Sequence, residues 1–464
     1  MSSKAKKSSK KKEIIFPKAS DLDYHYGFVL KIYPSCEQKR IIQHNINACN
    51  AVYNRLVKAG RCRLPKTHGN FPVFQQINQR ISDYSKSPCK ILRSQTYWLN
   101  NKDLDSLMFA NTVLAYRAAW KMCRTVKQIK PPQFRKSKKH QRYQINCLYN
   151  GKKLQKAGQR PNLSNGSVAL TFENHKYRIS LPKLGTVTCR FSKSMLKKLH
   201  RVERKGILRI GTVTIAKLPD GSYTCSLQLA SDVPFARFLP KTGFSVGVDL
   251  NLSNFLTDSN GNVVSNPKYY QKAKAKFRKE QRKLGKKLSK AKQRLGIKQT
   301  NKIPRKVLMK QKNYQRQREL VARYHVKVRN QRRDFLDKLS MMYIKNHDII
   351  VAEELRSKNL VKNHALASAI SDVGWRTFLS MLSYKATMYG KKFIAVDPKN
   401  TTQTCHVCGH IMEGKDKIRL GTEKWTCPVC NSHHSRDWNA AKNILKKGLD
   451  SLDCGGKAPQ QMEG

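Results

Sequence analysis

The chain has 464 residues, 39% of them hydrophobic and 8% aromatic, which indicates a folded protein of roughly two to four domains. Its 93 Lys and Arg residues outnumber 29 Asp and Glu residues and give a net charge of +64, which suits a long polyanion and leaves a ribosomal or chromatin protein as an alternative. No apolar run is long enough to cross a bilayer, and the basic first residues lead into no apolar segment, so we expect no membrane partner and no secretory signal. Most of the 13 cysteines lack paired spacing, which favours a reducing compartment: the cytoplasm or nucleoid of a prokaryote, or the nucleus of a eukaryote.

The first third of the chain is predicted to contain one strand and two helices. Residues 24–33 are β-branched and aromatic and predict a strand. Apolar residues at helical spacing predict helices from about Glu37 to Lys58 and from about Thr96 to Gln128. These helices form a basic lobe inserted after the strand.

The next segment, 141–235, contains short β-branched runs separated by turn signals. Asp220-Gly221 lies between two of these runs and is a strong hairpin signal. The spacing predicts a small antiparallel barrel or sandwich, which the strand at 24–33 completes.

From Phe244 onward, apolar runs alternate with helical segments. The run F-S-V-G-V-D-L ends in Asp249, D-I-I-V-A-E-E-L ends in Glu353 and Glu354, and K-F-I-A-V-D-P forms a third strand. Strands that alternate with helices predict an α/β domain whose parallel strands end at a common edge. Asp249 and Glu353 are then expected to lie close together.

Two C-x-x-C pairs follow the third strand, at a separation near the C-x₂-C-x₁₅₋₂₀-C-x₂-C pattern of structural zinc sites. The predicted zinc ligands are Cys405, Cys408, Cys427 and Cys430. Four thiolates suit one tetrahedral Zn²⁺ ion, while disulfides or idle thiols are the alternative. Gly409 permits the tight turn after the first pair.

Asp437 follows the second cysteine pair and precedes a helical run, so it is either a helix-capping residue or a third member of an acidic site. If Asp249, Glu353 and Asp437 converge, they repel one another unless cations are present. Oxygen ligands of this kind indicate Mg²⁺ or Mn²⁺, and two such ions could support phosphodiester hydrolysis. Capping or strand-end roles for all three acids remain the alternative.

Two long helical segments, 268–298 and 308–346, carry many basic and few acidic side chains. Such one-sided charge favours a surface that contacts phosphates over a coiled coil, although a solvated helix face is also possible. The candidate nucleic-acid contacts are Lys272, Lys276, Lys279, Arg282 and Arg436.

Nine sequence segments carry a resemblance to a known family. They are K-I-Y-P-S-C-E-Q, A-V-Y-N, P-P-Q-F-R-K-S-K, I-S-L-P-K-L-G, G-V-D-L-N, I-I-V-A-E-E-L, V-G-W-R-T-F-L-S-M-L-S-Y-K-A-T-M-Y-G-K-K, V-D-P-K-N-T-T-Q-T-C-H-V-C-G-H and S-R-D-W-N-A-A-K-N-I. From about His25 to Leu445 the chain resembles TnpB, the transposon-encoded RNA-guided nuclease, and its relatives among compact type V CRISPR effectors and Fanzor proteins.

The resemblance implies a multidomain α+β and α/β fold with a RuvC-like, RNase H-type nuclease domain. Asp249, Glu353 and Asp437 take the catalytic positions with Mg²⁺ (or Mn²⁺), and the four cysteines take the zinc. The implied partners are a guide RNA and a target DNA, whose sequence is read by base pairing. The implied activity is Mg²⁺-dependent, RNA-guided DNA endonuclease cleavage.

The resemblance and the sequence pattern together divide the chain into domains. They are a basic disordered arm at 1–23, a wedge β-barrel at 24–36 and 141–235, a helical recognition lobe at 37–140, the nuclease domain at 236–404 and 431–446, the zinc ribbon at 405–430 and a disordered tail at 447–464.

Two departures from the family pattern affect the site. Many relatives have Glu-Asp or Glu-Asn where this chain has Glu353-Glu354, so the ligand could be either residue. Ser435 stands where relatives often have Asp, whereas Arg436 is retained and could contact phosphate.

Two other functions are compatible with parts of this pattern. The first is an RNA-guided binding protein that has lost cleavage, which the presence of all three acids disfavours. The second is a DDE-type transposase, which the inserted ribbon and the barrel with its helical insertion disfavour. The sequence leaves open the source of the guide RNA, the flanking motif and the oligomeric state.

Overall fold

The computed structural model describes residues 16–61, 97–126, 129–136, 140–173, 176–354, 374–419 and 421–453. The chain divides into two compact units, one ending at Phe235 and the other beginning at Ala236. Among the helices described, none combines the length and apolar character needed to cross a membrane.

The first unit is built on a seven-stranded antiparallel sheet with the order β2-β6-β7-β1-β5-β4-β3. Its strands are β1 (Tyr24–Tyr33), β2 (Arg142–Asn146), β3 (Ala169–Glu173), β4 (Lys176–Leu181), β5 (Gly185–Arg190), β6 (Leu208–Lys217) and β7 (Tyr223–Ser231). The predicted Asp220-Gly221 hairpin is confirmed, because Gly221 adopts φ +82° between the paired strands β6 and β7. The strand order has two ends, and its closure into a barrel stays a prediction.

Helices of the first unit pack on this sheet. They are α1 (Cys36–Arg61), α2 (Ser106–Thr125), α3 (Gly151–Lys156) and α4 (Lys193–Lys205). Ile46 of α1 and Val113 of α2 lie in one hydrophobic core with Leu30 of β1, so the described helices of the predicted lobe share the core of the sheet.

Three helices of the first unit differ from the sequence expectation, and one of them, α3, was not predicted. Helix α2 begins later than predicted because the Asp105 carboxylate accepts a hydrogen bond from the Leu107 amide at 2.8 Å and caps the helix there. Helix α4 was also not predicted. Its signals are the Ser192 cap, which accepts from the Met195 amide, and the buried Leu199 and Val202 at helical spacing.

The second unit contains a five-stranded mixed sheet with the order β10-β9-β8-β11-β12. Its strands are β8 (Ser245–Asp249), β9 (Leu256–Asp258), β10 (Val263–Val264), β11 (Ile349–Glu353) and β12 (Lys392–Val396). Strands β8, β11 and β12 run parallel, as predicted, and β9 and β10 run antiparallel beside them. The parallel strands therefore end at one edge.

Helices cover both faces of this sheet. They are α5 (Tyr269–Arg294), α6 (Arg305–Lys310), α7 (Lys312–Asn346), α8 (Trp375–Tyr389) and α9 (Arg436–Asp453). Helices α7 and α8 form a core with Val248 and Ile350 on one face, and Ile444 of α9 packs with Val351 on the other. Helices α5 and α7 run antiparallel, with the Phe277 and His325 rings 4.3 Å apart.

Helix α9 lies close to the sheet because two glycines leave room for it. A Cβ atom on Gly247 of β8 would overlap the Ala441 carbonyl oxygen, and one on Gly448 of α9 would lie 2.5 Å from a Val351 methyl group. Both positions therefore accept only glycine without displacement of the backbone or of a packed side chain.

Parts of the predicted disordered ends are ordered. Helix α9 continues to Asp453 because Gly448 packs against β11, so the boundary at 446 is corrected. Residues 16–23 of the predicted arm include a 3₁₀ turn at Ala19–Asp21 and the buried Leu22, and Arg209 donates to the Pro17 carbonyl. The remaining predicted arm and tail, 1–15 and 454–464, lie outside the described residues.

Candidate active site and metal centre

Asp249 and Glu353 lie at the carboxyl ends of neighbouring parallel strands. The register pairs Val248 with Ala352, so Asp249 and Glu353 are the next residues of the two strands. Neighbouring strands are about 4.8 Å apart, and side chains alternate between faces. Because Gly247 and Val351 face α9, the two carboxylates share the face that α9 covers.

Asp437 lies in the first turn of α9, above this edge. The Trp438 indole donates to the Ser259 carbonyl at 3.1 Å, and the Arg436 amide donates to the Glu423 carbonyl at 2.9 Å. These bonds fix the start of the helix beside the turn after β9. Residue Arg436 is half-buried there.

The electrostatics of the three acids show that they interact. Burial, followed by the charges of Glu353 and Asp437, raises the pKa of Asp249 to about 8. Burial also raises the pKa of Glu353 and of Asp437, and the charge of Arg436 opposes the shift at Asp437. Buried, mutually repelling carboxylates retain protons unless a cation neutralises them, so this donor set fits an oxygen-preferring divalent cation.

Glu353 and Glu354 have different surroundings. The Thr401 hydroxyl lies 2.5 Å from Oε1 of Glu353, and Glu353 is half-buried. Glu354 is exposed, and its amide donates to the Val396 carbonyl at 2.8 Å. Alternation along β11 directs the Glu354 side chain away from the face that carries Asp249. These contacts favour Glu353 as the member of the acidic site.

The four predicted zinc ligands converge. Among the described residues, they form the one group of potential metal ligands whose ligand atoms all lie within 4.8 Å of one another. The sulfur atoms of Cys405 and Cys430 are 3.7 Å apart, and those of Cys408 and Cys427 are 3.6 Å apart. A tetrahedral shell with Zn–S bonds of about 2.3 Å requires sulfur separations of roughly 3.8 Å. The cluster therefore fits a structural zinc ion.

The two cysteine pairs have matching turns. Gly409 adopts φ +79° and donates to the Cys405 carbonyl, and Asn431 adopts φ +56° and donates to the Cys427 carbonyl. The tight turn predicted at Gly409 is confirmed, and Asn431 supplies its counterpart. Asn tolerates this left-handed conformation better than most residues.

The ribbon extends beyond the predicted boundary at 430. Strands β13 (Lys424–Thr426) and β14 (His433–Ser435) pair as an antiparallel hairpin around the second cysteine pair. The buried His434 places Nε2 3.2 Å from the Cys405 sulfur. The Ser432 hydroxyl lies 2.9 Å from the Cys430 sulfur and lowers the pKa of that thiol to about 6.

Two buried asparagines of α9 connect the ribbon to the acidic site. Asn439 accepts from the His406 amide at 2.9 Å and donates to the Thr404 carbonyl at 2.7 Å. Asn443 donates to the Thr401 carbonyl at 2.9 Å. The sequence prediction missed these residues because their polar side chains interrupt an otherwise apolar helix face; their spacing of one helical turn was the available signal.

The candidate nucleic-acid contacts lie in two places. Lys272, Lys276, Lys279 and Arg282 are all exposed on α5, whereas Arg436 lies beside Asp249 and Asp437. Phe277 and Glu280, on the buried side of α5, pack toward α7, and the Gln317 amide donates to Glu280 at 2.7 Å. Lys272, Lys276, Lys279 and Arg282 therefore lie on the exposed side of α5.

Two family models match the second half of the chain. Residues 232–364 match a model described as "Probable transposase" (OrfB_IS605), and residues 375–444 match one described as "Cas12f1-like, TNB domain". The first range contains Asp249 and Glu353, and the second contains the four cysteines and Asp437.

Several proteins with printed names are similar in sequence to parts of this chain. A Streptomyces pristinaespiralis protein named "Putative RNA-guided DNA endonuclease" is 33% identical over 54% of this chain and 56% of its own length. The "Putative RNA-guided DNA endonuclease InsQ" of Escherichia coli K12 is 30% identical over 60% of this chain and 64% of its own length. "TnpB-like protein L79" of Acanthamoeba polyphaga mimivirus is 32% identical over 28% of this chain and 25% of its own length. The chain thus spans less than two thirds of the length of the first two relatives. The matches confirm the predicted resemblance to the TnpB family.

Solved structures with low sequence identity are also similar to this chain. A chain of the "Cas12f1-sgRNA-target DNA complex" is 12% identical with a TM-score of 0.47, and the match covers 91% of this chain and 98% of that one. A chain of the "mini-RNA-guided endonuclease CRISPR-Cas_phi3" is 11% identical with a TM-score of 0.46, and the match covers 92% of this chain and 93% of that one.

Proposed function

We propose that this protein is an RNA-guided DNA endonuclease that hydrolyses phosphodiester bonds at Asp249, Glu353 and Asp437. The observation that supports the proposal is that Asp249 and Glu353 end neighbouring parallel strands next to the first turn of α9, where burial and the charges of Glu353 and Asp437 raise the pKa of Asp249 to about 8. Acids that serve only as helix caps or strand-end residues act separately and need not lie beside one another.

The proposed site takes two Mg²⁺ or Mn²⁺ ions. Oxygen ligands from three carboxylates match the preference of these ions. When bound, two such ions activate water and stabilise the departing oxygen of a phosphodiester. The chain's own contribution is to hold the three carboxylates on two strand ends and one helix start, and to place the Arg436 guanidinium beside them, where it can contact a phosphate of the target.

The strand order of the second unit also supports the proposal. The order β10-β9-β8-β11-β12, in which three antiparallel strands are followed by parallel ones, supports a RuvC-like, RNase H-type domain that includes residues 236–404 and α9 (Arg436–Asp453). The cysteine cluster supports a zinc ribbon inserted before α9. In the first unit we propose a wedge domain around the seven-stranded sheet and a recognition lobe that includes α1 and α2.

Guide RNA and target DNA are the proposed partners. A net charge of +64 suits a protein that binds two polyanions at once. The names of the Streptomyces and Escherichia relatives, which describe RNA-guided DNA endonucleases, support the same substrate class.

The test begins with the RNA that copurifies with the protein. Sequencing that RNA identifies a guide, and a DNA library that carries the matching target beside randomised flanking sequence is then incubated with the complex and Mg²⁺. We expect cleavage by the wild-type complex. Asp249→Ala and Asp437→Ala should each abolish cleavage and retain guide and target binding, because each removes a metal ligand and leaves the phosphate contacts.

The outcomes separate the alternatives. A wild-type complex that binds its target and never cleaves it would identify a silent RNA-guided binding protein. Strand transfer without any bound RNA would identify a transposase. Loss of binding together with cleavage in both variants would show that the acids are structural.

A further inference from the structure

Thr401 lies between β12 and the first cysteine pair and touches the acidic site. It is buried, with 2% of its surface exposed. Its hydroxyl lies 2.5 Å from Oε1 of Glu353 and 3.1 Å from the Pro398 carbonyl oxygen. Both neighbours are acceptors, so the hydroxyl is the donor in this group.

A threonine hydroxyl has one proton to donate. A carboxylate is the stronger acceptor of the two neighbours, and the shorter distance is the one to Glu353. Donation to Oε1 restricts rotation of the Glu353 carboxyl group and leaves Oε2 as an oxygen available to a cation. It also favours the ionised carboxylate, which burial disfavours.

The backbone of Thr401 is itself fixed by α9. Asn443 donates to the Thr401 carbonyl at 2.9 Å and to the Thr404 carbonyl at 2.6 Å, and Asn439 donates to Thr404 as well. Both asparagines are buried. The same helix carries Asp437 in its first turn, so one element positions both Asp437 and the hydroxyl that contacts Glu353.

We propose that Thr401 is a positioning residue for the divalent-cation site: its hydroxyl orients the Glu353 carboxylate, and Asn443, which donates to the Thr401 carbonyl, fixes the backbone that carries this hydroxyl. This inference rests on the proposed function, because it assigns a role within the same acidic site. Residues that orient metal ligands typically contribute about 10–100-fold in metal affinity or activity when removed.

The test compares four substitutions in the zinc-loaded protein. Thr401→Val removes the hydroxyl and retains the shape, and Thr401→Ser retains the hydroxyl. Thr402→Val is the matched control, because within the described residues the Thr402 side chain makes no hydrogen bond with Glu353. Mn²⁺ is titrated into guide-free protein, and free Mn²⁺ is measured by electron paramagnetic resonance. The Mn²⁺ binding that is present in the wild type and lost in Asp249→Asn is assigned to the acidic site.

We expect Thr401→Val to weaken the Asp249-dependent Mn²⁺ binding by about 10–100-fold, and Thr401→Ser to restore it to within about threefold of wild type. Thr402→Val should match wild type. In the guided complex, Thr401→Val should raise the Mg²⁺ concentration needed for half-maximal cleavage by a similar factor, with unchanged zinc content and target affinity.

Three results would overturn the inference. The first is wild-type Mn²⁺ affinity in Thr401→Val while Asp249→Asn abolishes binding; this leaves the proposed function intact. The second is an equal loss in Thr401→Ser, which would assign the effect to the methyl group. The third is parallel loss of zinc and of target binding in Thr401→Val, which would make Thr401 structural. A wild-type protein without any Asp249-dependent Mn²⁺ site would instead contradict the proposed function itself.

Discussion

Glu353 and Glu354 are consecutive acids with different environments, and this difference is testable. Glu353 shares the α9 face with Asp249 and accepts from Thr401, whereas Glu354 is exposed. We expect Glu353→Gln to abolish cleavage, because it replaces a carboxylate oxygen of the proposed cation site, and Glu354→Gln to cleave at the wild-type rate. Cleavage rates of the two guided complexes at saturating Mg²⁺ provide the measurement. The reverse pattern would move the ligand assignment by one residue.

The pKa of Asp249 predicts a pH-dependent stability. Burial and the neighbouring acids raise it from 3.8 to about 8, so the folded protein retains a proton there that the unfolded chain has released. The associated stability is fully present below the unfolded pKa and is lost as the pH rises through about 8. The amide that the substitution Asp249→Asn introduces carries no titrating proton. Without Mg²⁺, Asp249→Asn should therefore become increasingly more stable than wild type between about pH 6 and pH 8.

Thermal unfolding in Mg²⁺-free buffer measures this difference, and chelators are omitted because they would remove zinc. Added Mg²⁺ should stabilise the wild type at the upper end of the pH range and leave Asp249→Asn nearly unchanged. A difference between the two proteins that stays constant with pH would show that Asp249 is already ionised in the metal-free fold.

The sequence predicted the candidate metal ligands but not the side chains that contact them. Asp249, Glu353 and the four cysteines stand at strand ends or at fixed spacing, which are local signals. Thr401 and Asn443 act through contacts with distant residues, and a threonine or an asparagine has no sequence pattern specific to such a contact. His434 near Cys405 was missed for the same reason.

The zinc ribbon is the element whose folding should depend on metal. Its small core consists of Cys405, Met412, Ile418 and Cys427, so most of the stability of this element is expected from the ion. We expect Cys430→Ser to lower bound zinc and the yield of folded protein together. Cys36→Ser, which changes an exposed cysteine at the start of α1, is the control and should change neither. Zinc is measured by elemental analysis of the purified proteins, and a Cys430→Ser protein with full activity and no zinc would contradict a structural role.

Elements with strong periodicity were predicted well, and their ends were not. Strand β1 matches its predicted range, whereas α2 begins at a cap that the apolar pattern does not reveal. Helix α9 continues past its predicted end because Gly448, a residue type that often ends helices, packs against Val351. The physical reason is that periodicity reports a buried face, while boundaries depend on individual contacts.

Across the whole molecule, the sequence pattern places helices and strands of the first unit in separate domains, whereas the structure packs them into one hydrophobic core. Helices α1 and α2 were predicted as part of an inserted lobe, yet Ile46 and Val113 share a core with Leu30 of the sheet. An amphipathic pattern shows that a helix buries one face but does not identify the surface that covers it. The net charge, in contrast, is a sum over the chain, so it can be obtained from the sequence without knowing how the helices pack.

Part of that charge lies on exposed lysines of α5. Lys272, Lys276 and Lys279 are exposed, and we expect them to contact phosphates of the guide–target duplex without reading bases. Each contact releases counterions, so replacing all three by alanine should weaken target binding about equally for every sequence. It should also reduce the slope of log affinity against log salt by up to about one unit per contact.

The control variant removes the same charge from exposed positions of α3, by replacing Lys152, Lys153 and Lys156 together by alanine. Binding measured between about 50 and 200 mM salt decides between the alternatives. An unchanged slope in the α5 variant would make these lysines a solvated helix face, an equal change in the α3 control would assign the effect to overall charge, and a sequence-selective loss would mean that they read bases.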